Sequence, residues 1–209
     1  MRVVLVDGGG SNIGSVRYAL QRLGVEAAMS SDPEEIHAAD RVILPGVGAA
    51  AAGMARLREQ GLVETLRTLQ RPLLGVCVGM QLLFESSEEG DVECLGLLPG
   101  VVGLLPSSPA LRIPHMGWNT LHAGPRLERL SQAGAEPSLV QGIGEGAYAY
   151  FVHSYGVPVT ADCLLYGEHG SRFAAVVQRG NVGGAQFHPE RSADVGARLL
   201  RNFLEHGLA

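Results

Sequence analysis

Along the first half of the chain, short apolar runs alternate with stretches whose apolar residues recur at helical spacing. Val3-Val4-Leu5-Val6 is a β-branched run closed by Asp7 and three glycines, the pattern of a buried strand ending in a loop. Ile13, Val16, Ala19, Leu20 and Leu23 then mark one helical face as far as Gly24, a C-terminal stop. The unit repeats. Residues 41–44 form a strand closed by Pro45-Gly46-Val47-Gly48, and residues 49–69 follow as a helix rich in Ala, Leu, Arg and Glu. A third strand over residues 72–77 leads into a helix that opens at Met80-Gln81-Leu82-Leu83-Phe84-Glu85. Three β-loop-α units in succession predict an open parallel sheet covered by helices.

From Gly90 to Leu121 the Gly- and Pro-rich texture and short apolar runs suit antiparallel hairpins better than further βα units. Residues 124–146 read as a loop or short helix, and residues 148–155, 163–166, 173–178 and 181–187 as strands. A terminal helix carries Val195, Leu199, Leu200, Phe203 and Leu204 on one face. With no internal repeat and no long linker, the expected architecture is α/β: a single domain over residues 1–209 with a mixed, largely parallel open sheet flanked by helices.

Composition supports a folded core, since 46% of the 209 residues are hydrophobic and only 18% charged. The net charge of −5 and the lack of a Lys/Arg run argue against nucleic acid as a partner. Cys77, Cys94 and Cys163 are odd in number and widely spaced, which suits neither a disulfide framework nor a metal cluster and points to a reducing compartment. No apolar stretch of signal-peptide or membrane-span length is present, so the expectation is a cytoplasmic protein with no membrane association.

The chemistry concentrates in three places. Gly75-Val76-Cys77-Val78-Gly79 stands where a strand meets a helix, a cysteine form of the nucleophile elbow. Its glycines let strand and helix approach, and the N–H of Val78 can face a developing oxyanion. A nucleophilic cysteine needs a base and a group to orient it. Among seven histidines, His188 is distinguished by Gln186-Phe187-His188-Pro189-Glu190, because Glu190 lies two residues on and shares its side of an extended segment. Cys77, His188 and Glu190 thus form a candidate triad. Pro45-Gly46-Val47-Gly48 is a second glycine loop at a strand end, able to turn backbone N–H groups toward an oxyanion or a phosphate. A dinucleotide fingerprint started at Gly8 fails at Ile13, and no metal-ligand spacing occurs, so no cofactor or metal is expected.

These motifs resemble those of the class I, triad-type glutamine amidotransferases, which share the G-x-C-x-G elbow and the late H-P-E. Pro114-His115-Met116-Gly117-Trp118-Asn119 and Phe151-Val152-His153-Ser154-Tyr155, together with the elbow, the 45–48 loop and the H-P-E segment, are more particular. They resemble the family of glutaminase subunits of imidazole glycerol phosphate synthases nearly end to end. The resemblance implies a flavodoxin-like fold in which Cys77 attacks the glutamine carboxamide, His188 shuttles protons and Glu190 orients His188. It also implies an oxyanion site from Gly46, Val47, Gly48 and Val78, and contacts to the polar end of glutamine from Gln81, Glu89, Ser154 and Tyr155. The implied partner is a (β/α)8-barrel cyclase subunit, forming a heterodimer that Asn12 and Trp118 face and that makes imidazole glycerol phosphate in histidine biosynthesis.

Two departures from the family pattern stand at the opening loop, residues 7–15, and at Gly156, where a bulkier residue is common; both are expected near the partner surface. Three other readings compete with the first. The chain could be a glutaminase of another pathway such as anthranilate or pyridoxal phosphate synthesis, a catalytically silent scaffold, or a cysteine hydrolase of small esters or peptides.

Overall fold

The structure, a computed structural model, describes residues 1–8 and 13–208. The amino-terminal half contains β1 (Val3–Val6), α1 (Ile13–Arg22), β2 (Ala27–Ser30), α2 (Pro33–His37), β3 (Arg41–Gly46), α3 (Ala50–Glu59), α4 (Leu62–Arg67), β4 (Leu73–Cys77) and α5 (Val78–Gln81). Short strands β5 (Ser86–Ser87), β6 (Val92–Glu93) and β7 (Val101–Leu104) precede β8 (His115–Thr120), β9 (His122–Ala123) and α6 (Pro125–Gln132). The chain ends with β10 (Tyr148–His153), β11 (Tyr155–Gly156), β12 (Cys163–His169), β13 (Ser171–Arg179), β14 (Val182–Ala185) and α7 (Ala193–His206).

The main sheet has the order β2-β1-β3-β4-β14-β13-β12-β9. Its first five strands are mutually parallel and its last three antiparallel, which is the mixed, largely parallel sheet expected. The parallel strands β1 and β4 are covered on both faces and buried at every position. Strands β8 and β10 form a separate two-stranded ribbon, and β11, β7, β5 and β6 a third small sheet. Phe84, Phe151, Phe173, Phe187 and Phe203 are fully buried in one continuous core.

Four expectations change. The 49–69 helix is two helices, because Gly61 takes φ 68° and breaks the ladder between them. Strand β2 and helix α2 were not foreseen: β2 is four residues with two exposed, too short for a readable period. Asp32 caps α2 by accepting from the Glu34 N–H at 2.9 Å, ahead of a proline at the first turn. The helix expected from Met80 to Glu85 begins earlier, at Val78, and lasts one turn. Its would-be continuation loses to tertiary hydrogen bonds: the carbonyls of Leu82, Leu83, Phe84 and Glu85 accept from the N–H groups of residues 94–98.

Candidate active site

Because β4 lies between β3 and β14, three chain segments leave adjacent carboxyl ends of the sheet. They are the 45–48 loop, the Cys77 elbow and the Gln186–Glu190 segment. Gly46 pairs with Cys77, and Val76 with Ala185, so register alone brings the loop, the thiol and the H-P-E segment to one edge.

Cys77 has φ 54° and ψ −116°, a conformation rare for a residue with a side chain and the strained turn of a nucleophile elbow. The flanking glycines are required by close approach. A Cβ on Gly79 would stand 1.9 Å from the Leu44 carbonyl oxygen, and one on Gly75 would stand 2.7 Å from Met80 Cα. Cys77 Sγ lies 3.9 Å from the Val152 carbonyl and 4.0 Å from Gln186 Nε2.

His188 Nδ1 meets Glu190 Oε1 at 2.9 Å, with both side chains nearly buried. With Nδ1 taken by Glu190, Nε2 is the ring nitrogen left for Cys77, which lines the same cavity. Burial by itself would drive a proton off His188. Interactions with Cys77 and with the Glu190 carboxylate outweigh burial and raise its pKa to about 10. Burial instead pushes the Cys94 and Cys163 thiols up, to about 11 and about 12, so neither is poised to react.

A cavity of about 400 Å³ opens over the thiol. Val47, Gly48, Val78, Gln81 and Glu89 line it with Cys77, and Ser154, Tyr155 and His188 close the other side. Nine of the residues singled out from sequence therefore share one wall-to-wall space. Gly46 does not line it. It stands behind, where a Cβ would lie 2.3 Å from the Gly79 nitrogen. Glu89 also supports the fold, because its Oε2 accepts from the Ala50 N–H at 2.9 Å and caps α3, the helix entered from the 45–48 loop.

Trp118 lies outside the cavity, exposed on β8, and Asn12 lies outside the described residues, as does the centre of the opening loop. Gly156 is not on the surface. It is buried, and a Cβ there would contact Leu105, Phe173 and His153 at 3.5–3.6 Å.

Sequence reasoning missed several contributors. Gln186 accepts from Gln81 Nε2 at 3.0 Å, and its position two residues before His188 was the available signal. Ser192 accepts from the Tyr150 N–H and donates to the His188 carbonyl at 2.7 Å, bracing the H-P-E turn. Arg191 brings a cation to the cavity. His115 and His153, singled out from sequence only as members of longer motifs, form a buried pair at 3.0 Å.

A family model described as "Glutamine amidotransferase class-I" matches residues 4–206. The chain is 60% identical over 203 residues to "Imidazole glycerol phosphate synthase subunit HisH" of Xanthomonas euvesicatoria pv. vesicatoria (strain 85-10), covering 97% of this chain and 96% of that protein. It is 59% identical, with the same coverage, to the protein of the same name from Xylella fastidiosa (strain Temecula1 / ATCC 700964). Among solved structures, one titled "Crystal structure of glutamine amidotransferase" aligns over 98% of both chains with a TM-score of 0.71 at 22% identity. A chain of "Structure of PurLQS from Thermotoga maritima" aligns over 98% of both with a TM-score of 0.64 at 22% identity.

Proposed function

The chain belongs to the class I glutamine amidotransferase family, and from that premise we propose that Cys77, His188 and Glu190 hydrolyse glutamine and that the ammonia passes to a (β/α)8-barrel cyclase subunit. The pair makes imidazole glycerol phosphate, the product in the relatives' name, together with aminoimidazole carboxamide ribonucleotide, in histidine biosynthesis. The observation that carries the triad assignment is the 2.9 Å hydrogen bond from His188 to Glu190, which stands behind the cavity wall that His188 shares with Cys77.

His188 Nε2 takes the Cys77 thiol proton as Sγ attacks the side-chain carbonyl carbon of glutamine, and the carbonyl oxygen becomes an oxyanion facing the Val78 N–H and the 45–48 loop. His188 gives its Nε2 proton to the departing nitrogen, so the C–N bond breaks, ammonia leaves and a glutamyl thioester remains. Water then attacks the thioester with His188 as base, and glutamate leaves as the thiol reforms. Glu190 holds the ring by Nδ1 throughout and stabilises its charged form.

Gln81 gives both Nε2 protons to fixed acceptors, the Tyr155 carbonyl at 2.9 Å and Gln186 Oε1 at 3.0 Å. Its Oε1 is buried without a hydrogen-bond partner among the described residues, which supports a role in accepting an N–H of glutamine. Glu89 and Arg191 bring opposite charges to the same cavity, suited to the ammonium and carboxylate of an amino acid. Ser154 and Tyr155 complete the glutamine site.

The cyclase docks on the outer face of the β8–β10 ribbon. Trp118 and Met116 are 53% and 63% exposed there, and Trp118 packs edge-on against Tyr150 on the neighbouring strand. Val152, two residues further along that strand, lines the cavity, so this face is continuous with the site. Among the described residues no helix is long and apolar enough to cross a membrane, and we place the enzyme in the cytoplasm as one domain over residues 1–209.

The test is glutamate release from glutamine by the chain alone, then with the cyclase subunit and its ribonucleotide substrate. Release rises steeply with both present and vanishes in Cys77→Ala; release that ignores both partners returns the chain to a free-standing hydrolase.

A further inference from the structure

We propose that His115 and His153, neither of them in the triad, are positioning residues that set the orientation of Gln81 through a one-way chain of hydrogen-bond donors. The inference rests on the glutaminase reading of this site. The chain runs from Asn119 Nδ2 to His115 Nε2 at 3.2 Å, from His115 Nδ1 to His153 Nε2 at 3.0 Å, and from His153 Nδ1 to the Tyr155 carbonyl at 2.8 Å. That carbonyl is the one that accepts from Gln81 Nε2.

Backbone groups at both ends determine every proton in the chain. A carbonyl can only accept, so the proton between His153 and Tyr155 sits on His153 Nδ1. Burial depresses the His153 pKa to about 3 and the His115 pKa to about 4, so each neutral ring carries one proton. His153 Nε2 is therefore bare, His115 must donate from Nδ1, and His115 Nε2 is bare in turn. Asn119 supplies the donor, and its own orientation is fixed: Oδ1 accepts from the Thr120 N–H and Nδ2 also donates to the Glu168 carbonyl, both at 2.8 Å.

Aromatic neighbours pack against both rings. His115 is stacked between Phe151 and His169, with centroids at 5.2 and 4.4 Å, and His153 meets the edge of Phe173 at 4.7 Å. With the Tyr155 carbonyl held by two donors, Gln81 keeps its NH2 there and leaves Oε1 for substrate. His115, Asn119 and His153 lie on the inner side of the ribbon whose outer side bears Trp118 and Met116, so partner surface and glutamine pocket share two strands.

The test has two arms, both on the full-length chain. In the first, long-range nitrogen–proton correlation spectra of the 15N-histidine-labelled protein near pH 7.5 report the tautomers, with peaks assigned by their loss in His115→Gln and His153→Gln. Both rings should carry the proton on Nδ1. In the second, His153→Leu in complex with the cyclase should raise KM for glutamine about ten-fold with a smaller loss in kcat. His153→Asn, which keeps a donor at the Nδ1 position, should return KM to within about three-fold of the unaltered protein. A proton on Nε2, a charged ring, or a His153→Leu protein of lowered Tm with unchanged KM overturns the inference. Should His153→Leu not fold, the tautomers of the unaltered chain decide. An unaltered complex that releases no glutamate from glutamine overturns the glutaminase reading, and this inference with it. An active complex with the wrong tautomers overturns the inference alone.

Discussion

Cys77 occupies a backbone conformation that costs about 1–3 kcal/mol for a residue with a side chain, and the neighbouring strands supply the constraint that holds it there. The reward is a thiol that faces the cavity beside His188. That thiol, together with Glu190 on Nδ1, holds the His188 proton far more tightly than in an unfolded chain, with pKa values of about 10 and 6.5 respectively. A proton bound more tightly in the folded state stabilises the fold fully below pH 6.5 and loses that contribution as pH rises toward 10. Urea unfolding from pH 6 to 10 should show this decline, and Cys77→Ala and Glu190→Gln should each make it shallower and shift it to lower pH. Glu190→Gln should also lower kcat by about a hundred-fold or more, measured by glutamate release, because the ring loses the charge that orients and stabilises its imidazolium. Glu89→Ala should cost about 1 kcal/mol of stability in the same unfolding assay, through loss of the α3 cap, besides raising KM for glutamine.

At the level of elements, the site depends on how closely strand and helix can approach. Leu44, within β3, contacts Gly79 in α5 so tightly that no Cβ fits. Gly79→Ala should therefore separate β3 from α5 and destabilise the fold by about 3 kcal/mol or more, read as a fall in Tm. Gly196 holds the matching contact at the start of α7, where a Cβ would stand 1.9 Å from the Pro189 carbonyl. Gly196→Ala should displace the H-P-E turn and lower kcat more than it lowers the rate of Cys77 alkylation, which does not require His188 to face a substrate. The elbow glycines were legible as a spacing, whereas Gly196 was not, since nothing near it in sequence shows that Pro189 folds back over it.

For the whole molecule, the β8–β10 ribbon joins an exposed apolar face to the cavity, and association with the cyclase belongs at this scale. Trp118→Ala should weaken cyclase binding at least ten-fold by calorimetric titration while leaving Tm nearly unchanged, as expected for an aromatic anchor that the isolated chain exposes. Glutamate release by the isolated chain should stay low, and partner binding should raise it.

The sequence by itself determined the local chemistry: the buried runs Val3–Val6 and Leu73–Cys77, the amphipathic α7, the elbow, the H-P-E segment and the long motifs that identify the family. These are legible because they depend on periodicity and on residue types at short spacing. Tertiary structure decided where α5 stops, since carbonyls 82–85 prefer the N–H groups of residues 94–98 to their own helix. It buried Gly156 against His153, gave Glu89 its place as a helix cap, and joined His115 to His153 across two strands. Each of these is a contact between residues that short-range pattern does not connect, and hydrogen-bond competition and close packing settle such contacts only after the sheet order has brought the partners together.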